Sequence, residues 1–328
     1  MAYRFTPLDF GQVKTYPLAE RANKVRSEDF AQPLPAGSTM RDFISSLPDI
    51  LVGRDFRAVV EALASAACNG RVVLWAMGAH VIKCGLSPLI IDLMERGVIS
   101  AIALNGAGAI HDVELALAGQ TSESVADGIK AGNFGMVTET GEFINAATAA
   151  AHAEKKGLGE MLGRALIAAD PPLLSRSILA TGVRLGIPVT IHVAVGGDIH
   201  HTHPSTRGDH MGHATFEDFR LLCGVMSHVG EGSVVMNMGS AVVLPVVLEK
   251  AFAAARNLGH PVERFTGVTM DFIQHYRSNL NPVSRARELN GKGYAITGHH
   301  EIMLPLLAAA VIDRMAVLVP PAAAASSS

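Results

Sequence analysis

Residues 98–119 read "VISAIALNGAGAIHDVELALAG" and place a β-branched run, a glycine turn and an amphipathic run in succession. The pattern predicts a buried strand over 98–105, a tight turn over 106–108 and a helix over 109–119. Comparable strands are predicted at residues 71–77, 187–195, 233–238, 265–273 and 293–297. The alternation indicates an α/β fold, with helices packed on a mostly parallel sheet. Right-handed crossovers place the strand-to-helix junctions at one edge of that sheet, where such folds bind ligands.

The composition is that of a compact globular protein: of 328 residues, 49% are hydrophobic and 17% are charged. The net charge of -3 gives no basic surface for phosphates, so no nucleic-acid partner is expected. No run approaches the roughly 18 apolar residues of a membrane span, and the N-terminus lacks the apolar core of a signal peptide. The three cysteines form no CxxC pair, which fits a cytoplasmic protein. The expected partners are small molecules and sister subunits.

The distribution of linker-like sequence predicts one large domain with an appendage at each end. No segment rich in Gly, Ser or Pro divides residues 60–315, so residues 51–318 are predicted to form a single α/β domain. Residues 1–50 are polar and interrupted by prolines, and we expect an extended arm that packs on a neighbouring subunit. Residues 319–328 are mostly Pro, Ala and Ser, which predicts a disordered tail.

Small residues at the first turn could bring backbone N–H groups close to a bound phosphate. Asn105, Gly106, Ala107 and Gly108 would line this turn, and the dipole of the following helix would favour an anion. A plain tight turn remains the alternative, because the sequence is not the GxGxxG fingerprint. Other junctions place further candidates at the same edge of the sheet: His80, Lys83, Gly239 and Ser240.

The densest polar segment is "GDIHHTHP" at 197–204. Imidazole is a common ligand of zinc and iron, and His201 and His203 would project to one side of an extended segment. His200, His201 and His203 are therefore candidate metal ligands, although HxH is a weak motif and a site needs three or four convergent ligands. The favoured interpretation is a polar loop that faces a cofactor or substrate, with Asp198 and His203 as its chemical members.

A second histidine group lies in "TGHHE" at 297–301, where the last predicted strand leads into a helix. His299, His300 and Glu301 would occupy the start of that helix at the ligand edge. A histidine beside a carboxylate in a cleft can act as a general base, so these residues and His203 are the candidate catalytic groups. Capping of the helix by one of them, with the others exposed, is the alternative.

In order and spacing, these segments resemble the deoxyhypusine synthase family over roughly residues 65–315. The resemblance rests on "GAHVIKCGLSPLIIDLMERGVISAIALNGAGAIHDVELAL", "AGNFGMVTETGEF", "GIPVTIHVAVGGDIHHTHP", "ATFEDFRLL" before "SVVMNMGSAVV", and "HHEIMLPLLAAAVI". It implies a doubly wound, Rossmann-like NAD-binding domain in a homotetramer, with active sites at subunit interfaces and an amine or polyamine substrate. The cofactor contacts that it implies are Ala79, His80, Gly106, Ala107, Gly108, Asp198, Gly239, Ser240 and Asp271, with His299 and His300 beside the nicotinamide nucleotide.

The chain departs from the family pattern at the lysine that forms an imine with the substrate. The family carries this lysine in a Trp-Gly-Lys stretch before the last strand, and here the interval reads "NPVSRARELNGKGYAIT" (281–297). Arg285 and Arg287 cannot form an imine. Lys292 is too close to the last predicted strand to replace the lysine of the family. An amine-site histidine is also replaced, by "VVLPVV" (242–247). We therefore expect an NAD-dependent enzyme that acts on an amine, polyamine or related small molecule, without authentic deoxyhypusine synthesis.

Two other hypotheses are open from the sequence. One is a metal-dependent hydrolase or lyase that uses the histidines of residues 200–203, with His213 or His299 as a further ligand. The other is a non-catalytic relative that assembles as an oligomer and uses neither NAD nor a metal.

Overall fold

The computed structural model describes residues 3–319 and contains one sheet of six strands, all parallel. The strands are β1 (Val73–Met77), β2 (Ala101–Asn105), β3 (Val189–His192), β4 (Val234–Met238), β5 (Thr266–Asp271) and β6 (Lys292–Thr297). Their order across the sheet is β3-β2-β1-β4-β5-β6. This is the doubly wound order, in which the direction of winding reverses between β1 and β4. The predicted fold class is confirmed.

Helices connect the strands and cover both faces of the sheet. In the described part of the chain they are α1 (Met40–Ser46), α2 (Leu51–Cys68), α3 (Ala79–Lys83), α4 (Ser87–Glu95), α5 (Gly106–Ala118), α6 (Val125–Ala131), α7 (Thr138–Glu154), α8 (Leu158–Ala169), α9 (Ile178–Leu185), α10 (Gly208–Ser227), α11 (Val243–Asn257), α12 (Tyr276–Ser278), α13 (Arg285–Glu288) and α14 (His300–Leu318). Most of them pack on the face that also carries α2, α5 and α14, and α11 covers the other face with part of α10.

The central strand β1 is apolar throughout because both faces of the sheet are covered. Val73, Trp75 and Met77 pack with the core that includes α2, α5 and α14. Leu74 and Ala76 point to the opposite face and pack with residues of α10 and α11. Successive side chains of a strand alternate between faces, so a strand between two helical layers needs an unbroken apolar sequence.

Two segments of the backbone come very close together at the switch point, where β1 and β4 end side by side. The backbone N–H of Gly78 donates to the carbonyl oxygen of Met238 at 2.9 Å. A Cβ atom on Gly78 would lie 2.0 Å from the carbonyl oxygen of Gly239, which a real side chain cannot do. Gly239 itself has a φ of +64°, in the left-handed region that favours glycine. The switch point therefore requires both glycines.

The N-terminal region consists of an extended segment followed by a helix. Residues 3–36 form extended chain and short 3-10 turns with many exposed apolar side chains. α1 falls within the predicted arm of residues 1–50, yet it is tied to α14 by Arg41, whose Nη2 lies 2.9 Å from Asp313 Oδ1. α1 thus packs with the α/β body, and the extended character is confined to the segment before it.

The last helix of the described residues is α14, which packs against α2. Apart from Val319, the predicted tail of residues 319–328 lies outside the described residues. Within residues 3–319, no helix combines the length and the apolar character that a membrane crossing requires.

We expect Gly78→Ala to lower the free energy of unfolding by about 2 kcal/mol or more, because its methyl group would overlap a backbone oxygen. Urea denaturation measures the change. Gly212→Ala is the matched control: this glycine lies in α10, and a Cβ atom there would meet nothing within 4 Å. It should be neutral or stabilising by up to about 1 kcal/mol, as alanine favours a helix. Equal stability of Gly78→Ala and the wild type would contradict the close contact between Gly78 and the carbonyl oxygen of Gly239.

Candidate functional site

The carboxyl ends of the strands bring most predicted site residues to one edge, but in two separate groups. The first, which we call the histidine-loop cluster, consists of Asp198, His200 and His201 beside Gly106, at the ends of β2 and β3. The second, the switch-point cluster, lies at the ends of β1, β5 and β6. Its members are His80, Cys84, Phe272, His299, His300 and Glu301.

Asp198 lies directly over the glycine turn at the start of α5. A Cβ atom on Gly106 would be 2.1 Å from Asp198 Oδ2, so only glycine permits this packing. The carboxylate accepts the backbone N–H of Ala194 at 3.1 Å and also that of Ala107. Burial raises the pKa of Asp198, and these N–H groups act in the opposite direction. The predicted phosphate turn is therefore partly closed by a carboxylate from the neighbouring strand end.

Asn105 holds one further N–H group of this turn. Its Oδ1 accepts the backbone N–H of Gly108 at 2.9 Å, which caps α5. The side chain thus satisfies one of the free donors of the helix start. Asn105 has a structural role in addition to its predicted place beside a ligand.

His200 and His201 are buried side by side, with ring centroids 4.4 Å apart. Burial lowers the pKa of His200 to about 4, and it also lowers the pKa of His201, although Asp198 opposes the second shift. His201 Nδ1 accepts the backbone N–H of Gly196, and its Nε2 lies 3.9 Å from Asp198 Oδ2. His200 Nδ1 and His201 Nε2 have no hydrogen-bond partner in the described structure. Both rings are neutral at pH 7.

His203 does not join these two histidines. Residues Ile199–Thr202 form a 3-10 turn, so the condition under which His201 and His203 would project to one side, an extended segment, is not met. The ring of His203 packs on Gly141 of α7, where a Cβ atom would lie 2.4 Å from its Cδ2, and Nδ1 lies 2.7 Å from Ser205 Oγ. His203 remains a catalytic candidate by prediction only.

The proposed metal ligands are also separated. His213 packs edge-on against His152 at 5.2 Å, and His210 stacks on His152 at 4.4 Å. Between residues 3 and 319, no group of three or more His, Cys, Asp or Glu side chains is arranged to hold a metal ion. The metal hypothesis receives no geometric support from the described residues.

His300 forms the floor of the switch-point cluster. The residue is fully buried, and its ring lies against Gly239, where a Cβ atom would be 3.2 Å from Cε1. Nε2 donates to the carbonyl oxygen of Met270 at 3.3 Å and lies 3.9 Å from Asp271 Oδ1, whereas Nδ1 has no partner in the described structure. Burial lowers the pKa of His300, and Asp271 only partly offsets this. The ring is neutral at pH 7.

Aromatic contacts link the other predicted histidines to His300. The ring of His80 lies 5.4 Å from that of His300 and 5.4 Å from that of Phe272. Phe272 in turn stacks parallel to His299 at 6.0 Å. His299 is exposed, and its Nδ1 lies 3.9 Å from Glu301 Oε1. A hydrogen bond from its own backbone N–H lowers the pKa of Glu301, so that this carboxylate is ionised at pH 7.

Cys84 is a member of this cluster that the sequence did not indicate. Its Sγ lies 3.4 Å from His80 Nε2 and 3.8 Å from Glu301 Oε2. His80 and Cys84 are four residues apart, so they share one face of the helix, and this spacing is a signal that a sequence reader could use. Glu301 belongs to α14, so no local sequence spacing indicates its contact with Cys84.

Two of the other predicted cofactor residues, Ser240 and Asp271, have structural partners. Ser240 Oγ accepts the backbone N–H of Leu244, in the first turn of α11. Asp271 Oδ1 accepts the backbone N–H of Phe272 at 2.8 Å. Ala79 is half-buried at the start of α3. All three lie at the predicted edge.

A cavity of about 580 Å³ opens between α5, α7 and the chain that joins α5 to α6. Glu114, Glu123, Glu139, Thr121 and Thr140 are among its lining residues. Burial raises the pKa of Glu114, but hydrogen bonds from its neighbours, including both threonines, outweigh this effect and lower it overall. The cavity therefore presents ionised carboxylate to any ligand. It adjoins the histidine loop, because Thr140 precedes the Gly141 on which His203 packs.

Comparison with known proteins concerns the fold. No protein-family model and no curated protein sequence matches the chain. Among solved structures, AgrE in ternary complex with ornithine and NAD+ has a TM-score of 0.51 at 14% identity, over 81% of this chain and 34% of AgrE. ArgZ, an arginine dihydrolase from the ornithine-ammonia cycle in cyanobacteria, has a TM-score of 0.50 at 15% identity, over 80% and 33%. A predicted deoxyhypusine synthase from Entamoeba histolytica has a TM-score of 0.50 at 10% identity, over 86% and 96%.

The extent of these matches differs. The chain spans about a third of the length of AgrE and of ArgZ, and nearly the whole of the Entamoeba protein. At such low sequence identities, the similarity shows only that the chain shares a fold with these proteins, the Entamoeba protein among them.

We expect His200 to lower the free energy of unfolding of the wild type as the pH decreases from 6.5 to about 4. Its folded pKa is lower than its unfolded pKa, so the unfolded chain takes up a proton that the folded chain excludes. His200→Asn should reduce this loss by up to about 1.4 kcal/mol per pH unit, measured by urea denaturation across the range. His260→Asn, at an exposed position, should leave the slope unchanged. Identical slopes for wild type and His200→Asn would contradict a buried neutral ring.

Proposed function

We propose that the protein is an enzyme that uses NAD to oxidise a small amine or amino acid. The observation that carries this proposal is the position of Asp198 over Gly106 at the carboxyl ends of β2 and β3. Doubly wound folds bind the ribose of a dinucleotide with an acidic side chain at this edge, although in the usual arrangement that acid follows the first glycine turn by about 20 residues. The switch point between β1 and β4 supports it, since ligands of such sheets bind there. AgrE, which has a similar fold, has been solved with ornithine and NAD+.

The residues at this edge would hold a dinucleotide through side chains rather than through an open glycine turn. The lack of a side chain at Gly106 lets Asp198 lie over the start of α5, where it would face the ligand. In this proposal, Asp198 would accept hydrogen bonds from ribose hydroxyl groups. When bound, NAD supplies a hydride acceptor for a carbon of the substrate.

The switch-point cluster offers places for the proton that amine oxidation releases. Nε2 of His300 donates to a carbonyl oxygen, so in the neutral ring Nδ1 carries the lone pair. This Nδ1 has no partner in the described structure, which leaves it free to accept a proton or to hold a water molecule. His80 is exposed and lies beside His300, and it would pass the proton to solvent. His299 and Glu301 are candidates for the same task.

The acidic cavity is proposed to hold the cationic end of the substrate. Glu114 and Glu139 face a space large enough for a small molecule, and ionised carboxylates attract an ammonium group. Glu114 lies about two turns along α5 from Gly106, so one helix connects this cavity with the proposed cofactor turn. Ornithine, which AgrE binds, carries such an ammonium group at each end of its chain.

Deoxyhypusine synthesis through a lysine imine is not part of the proposal. Lys292 is the first residue of β6, so it lies at the amino edge of the sheet, opposite to the site. Arg285 pairs with Glu288, and Arg287 donates to the carbonyl oxygen of Gly293. The interval that holds the lysine in the resembled family thus provides no imine-forming group here.

We expect the full chain to bind NAD in isothermal titration calorimetry. Asp198→Asn should weaken binding about tenfold, equivalent to about 1.4 kcal/mol, because an amide keeps the size but loses half of the acceptor capacity. Asp209→Asn is the matched control, since this exposed carboxylate pairs with Arg207 away from the turn, and its affinity should equal that of the wild type. Absence of NAD binding by the wild type would contradict the proposal.

We also propose that the extended segment of residues 3–36 packs on a neighbouring subunit. Tyr3, Phe5, Leu8 and Phe10 expose 95%, 81%, 83% and 77% of their surface. Burying one such side chain contributes about 1.5–3 kcal/mol, so several together favour a second copy strongly. A stable oligomer that binds no NAD would instead support the non-catalytic alternative.

Deletion of residues 1–36 is expected to reduce the oligomer to monomers in light scattering coupled to size-exclusion chromatography. The reason is the loss of the apolar side chains that the arm would bury. The triple variant Phe5→Ser, Leu8→Ser, Phe10→Ser keeps the length of the arm and should act in the same direction. A wild-type chain that runs as a monomer, or an unchanged mass in both variants, would overturn the proposed role.

A further inference from the structure

Cys84 is a nucleophilic side chain in contact with two groups that can exchange a proton with it. The thiol follows α3, and its S–H donates to Glu301 Oε2 at 3.8 Å. His80 Nε2 approaches the same sulfur at 3.4 Å. Through His80 this thiol connects to His300 and thus to the switch point, where His300 packs on Gly239. The proton chemistry proposed above does not use the thiol.

The surroundings of Cys84 permit a small electrophile to reach it. The residue is half-buried, whereas His80 and Glu301 are both exposed. Phe272, whose ring lies 5.4 Å from that of His80, exposes 41% of its surface and gives the rim of this cluster an apolar side. A small carbonyl compound with an aliphatic chain suits such a rim, and the thiol is the only strong nucleophile among the members of the cluster.

The thiol is kept protonated until it reacts. Burial and the nearby Glu301 carboxylate raise the pKa of Cys84. The ionised carboxylate that causes part of this shift is also the acceptor of the thiol proton. Deprotonation is therefore expected only as a bond to carbon forms, with Glu301 as the base.

We propose that Cys84 is the covalent nucleophile of an aldehyde-oxidising activity at this site. The inference rests on the proposed function, because it needs NAD as the hydride acceptor. It extends that function to aldehydes, the compounds that form when the imine from amine oxidation is hydrolysed.

The reaction balances as follows. Sulfur attacks the aldehyde carbon while the thiol proton moves to Glu301 Oε2, and the proton then passes to the carbonyl oxygen to give a hemithioacetal. NAD+, when bound, would accept the hydride from that carbon and become NADH, while Glu301 would take back the hydroxyl proton and Cys84 would hold the acyl group as a thioester. Water then cleaves the carbon–sulfur bond, which frees the thiol and a carboxylic acid. The net change is aldehyde, NAD+ and water to carboxylate, NADH and two protons.

The full-length protein is mixed with NAD and hexanal, and NADH absorbance is recorded. We expect NADH formation by the wild type and a loss of about a thousandfold or more in Cys84→Ser. Glu301→Gln, at an exposed position that tolerates substitution, should lose about a hundredfold. Cys68→Ser, a half-buried thiol at the end of α2, should equal the wild type. Circular dichroism and calorimetry with NAD establish that each variant is folded and binds the cofactor.

Two failures are distinguishable. Binding of NAD without hexanal-dependent NADH, or full activity in Cys84→Ser, overturns the role of Cys84 and leaves the proposed function intact. Absence of NAD binding overturns the proposed function, and the aldehyde reaction falls with it. Mass spectrometry supports the inference if NAD and hexanal leave a hexanoyl group on the peptide that contains Cys84, and an acyl group on Cys68 instead contradicts it.

Discussion

The contact between Gly78 and Gly239 determines where the other groups of the ligand edge can lie. β1 and β4 pair in parallel, and the chains that follow them leave toward opposite faces of the sheet. A side chain on Gly78 would force the two chains apart, at the centre of the sheet. Because Gly239 also lacks a side chain, His300 can pack directly on it, and the start of α14 reaches the switch point. One steric constraint thus brings α3 and α14 to the same place.

A second property of this edge is the number of polar atoms that are buried without a partner. Among the described residues, His200 Nδ1, His201 Nε2, His300 Nδ1 and Asn237 Oδ1 share this state. A buried polar group without a hydrogen bond costs about 1–3 kcal/mol, and such groups are few in native proteins. They are four of the nine such side-chain atoms found among the described residues. Because these four lie near the carboxyl ends of the strands, a ligand or ordered water at that edge would supply their partners.

The fold follows from the sequence more directly than the site does. A strand covered on both faces needs an unbroken apolar run, and the runs 71–77 and 98–105 match β1 and β2 to within three residues. The separation of the histidines follows from tertiary structure: a 3-10 turn within "HHTHP" sends His203 toward α7. The contact of Cys84 with Glu301 joins residues 217 positions apart, so no local pattern could reveal it.

The position of Asp198 also limits which ligand the proposed cofactor turn can accept. The carboxylate already takes the N–H of Ala107, so a phosphate at that point would meet a negative charge and an occupied donor. A ribose hydroxyl can instead donate to the carboxylate without displacing it. The same argument disfavours a ribose with a 2′-phosphate, which such folds accept with an arginine rather than an acid. Within a dinucleotide mechanism, a carboxylate over Gly106 would therefore suit NAD better than its 2′-phosphorylated form.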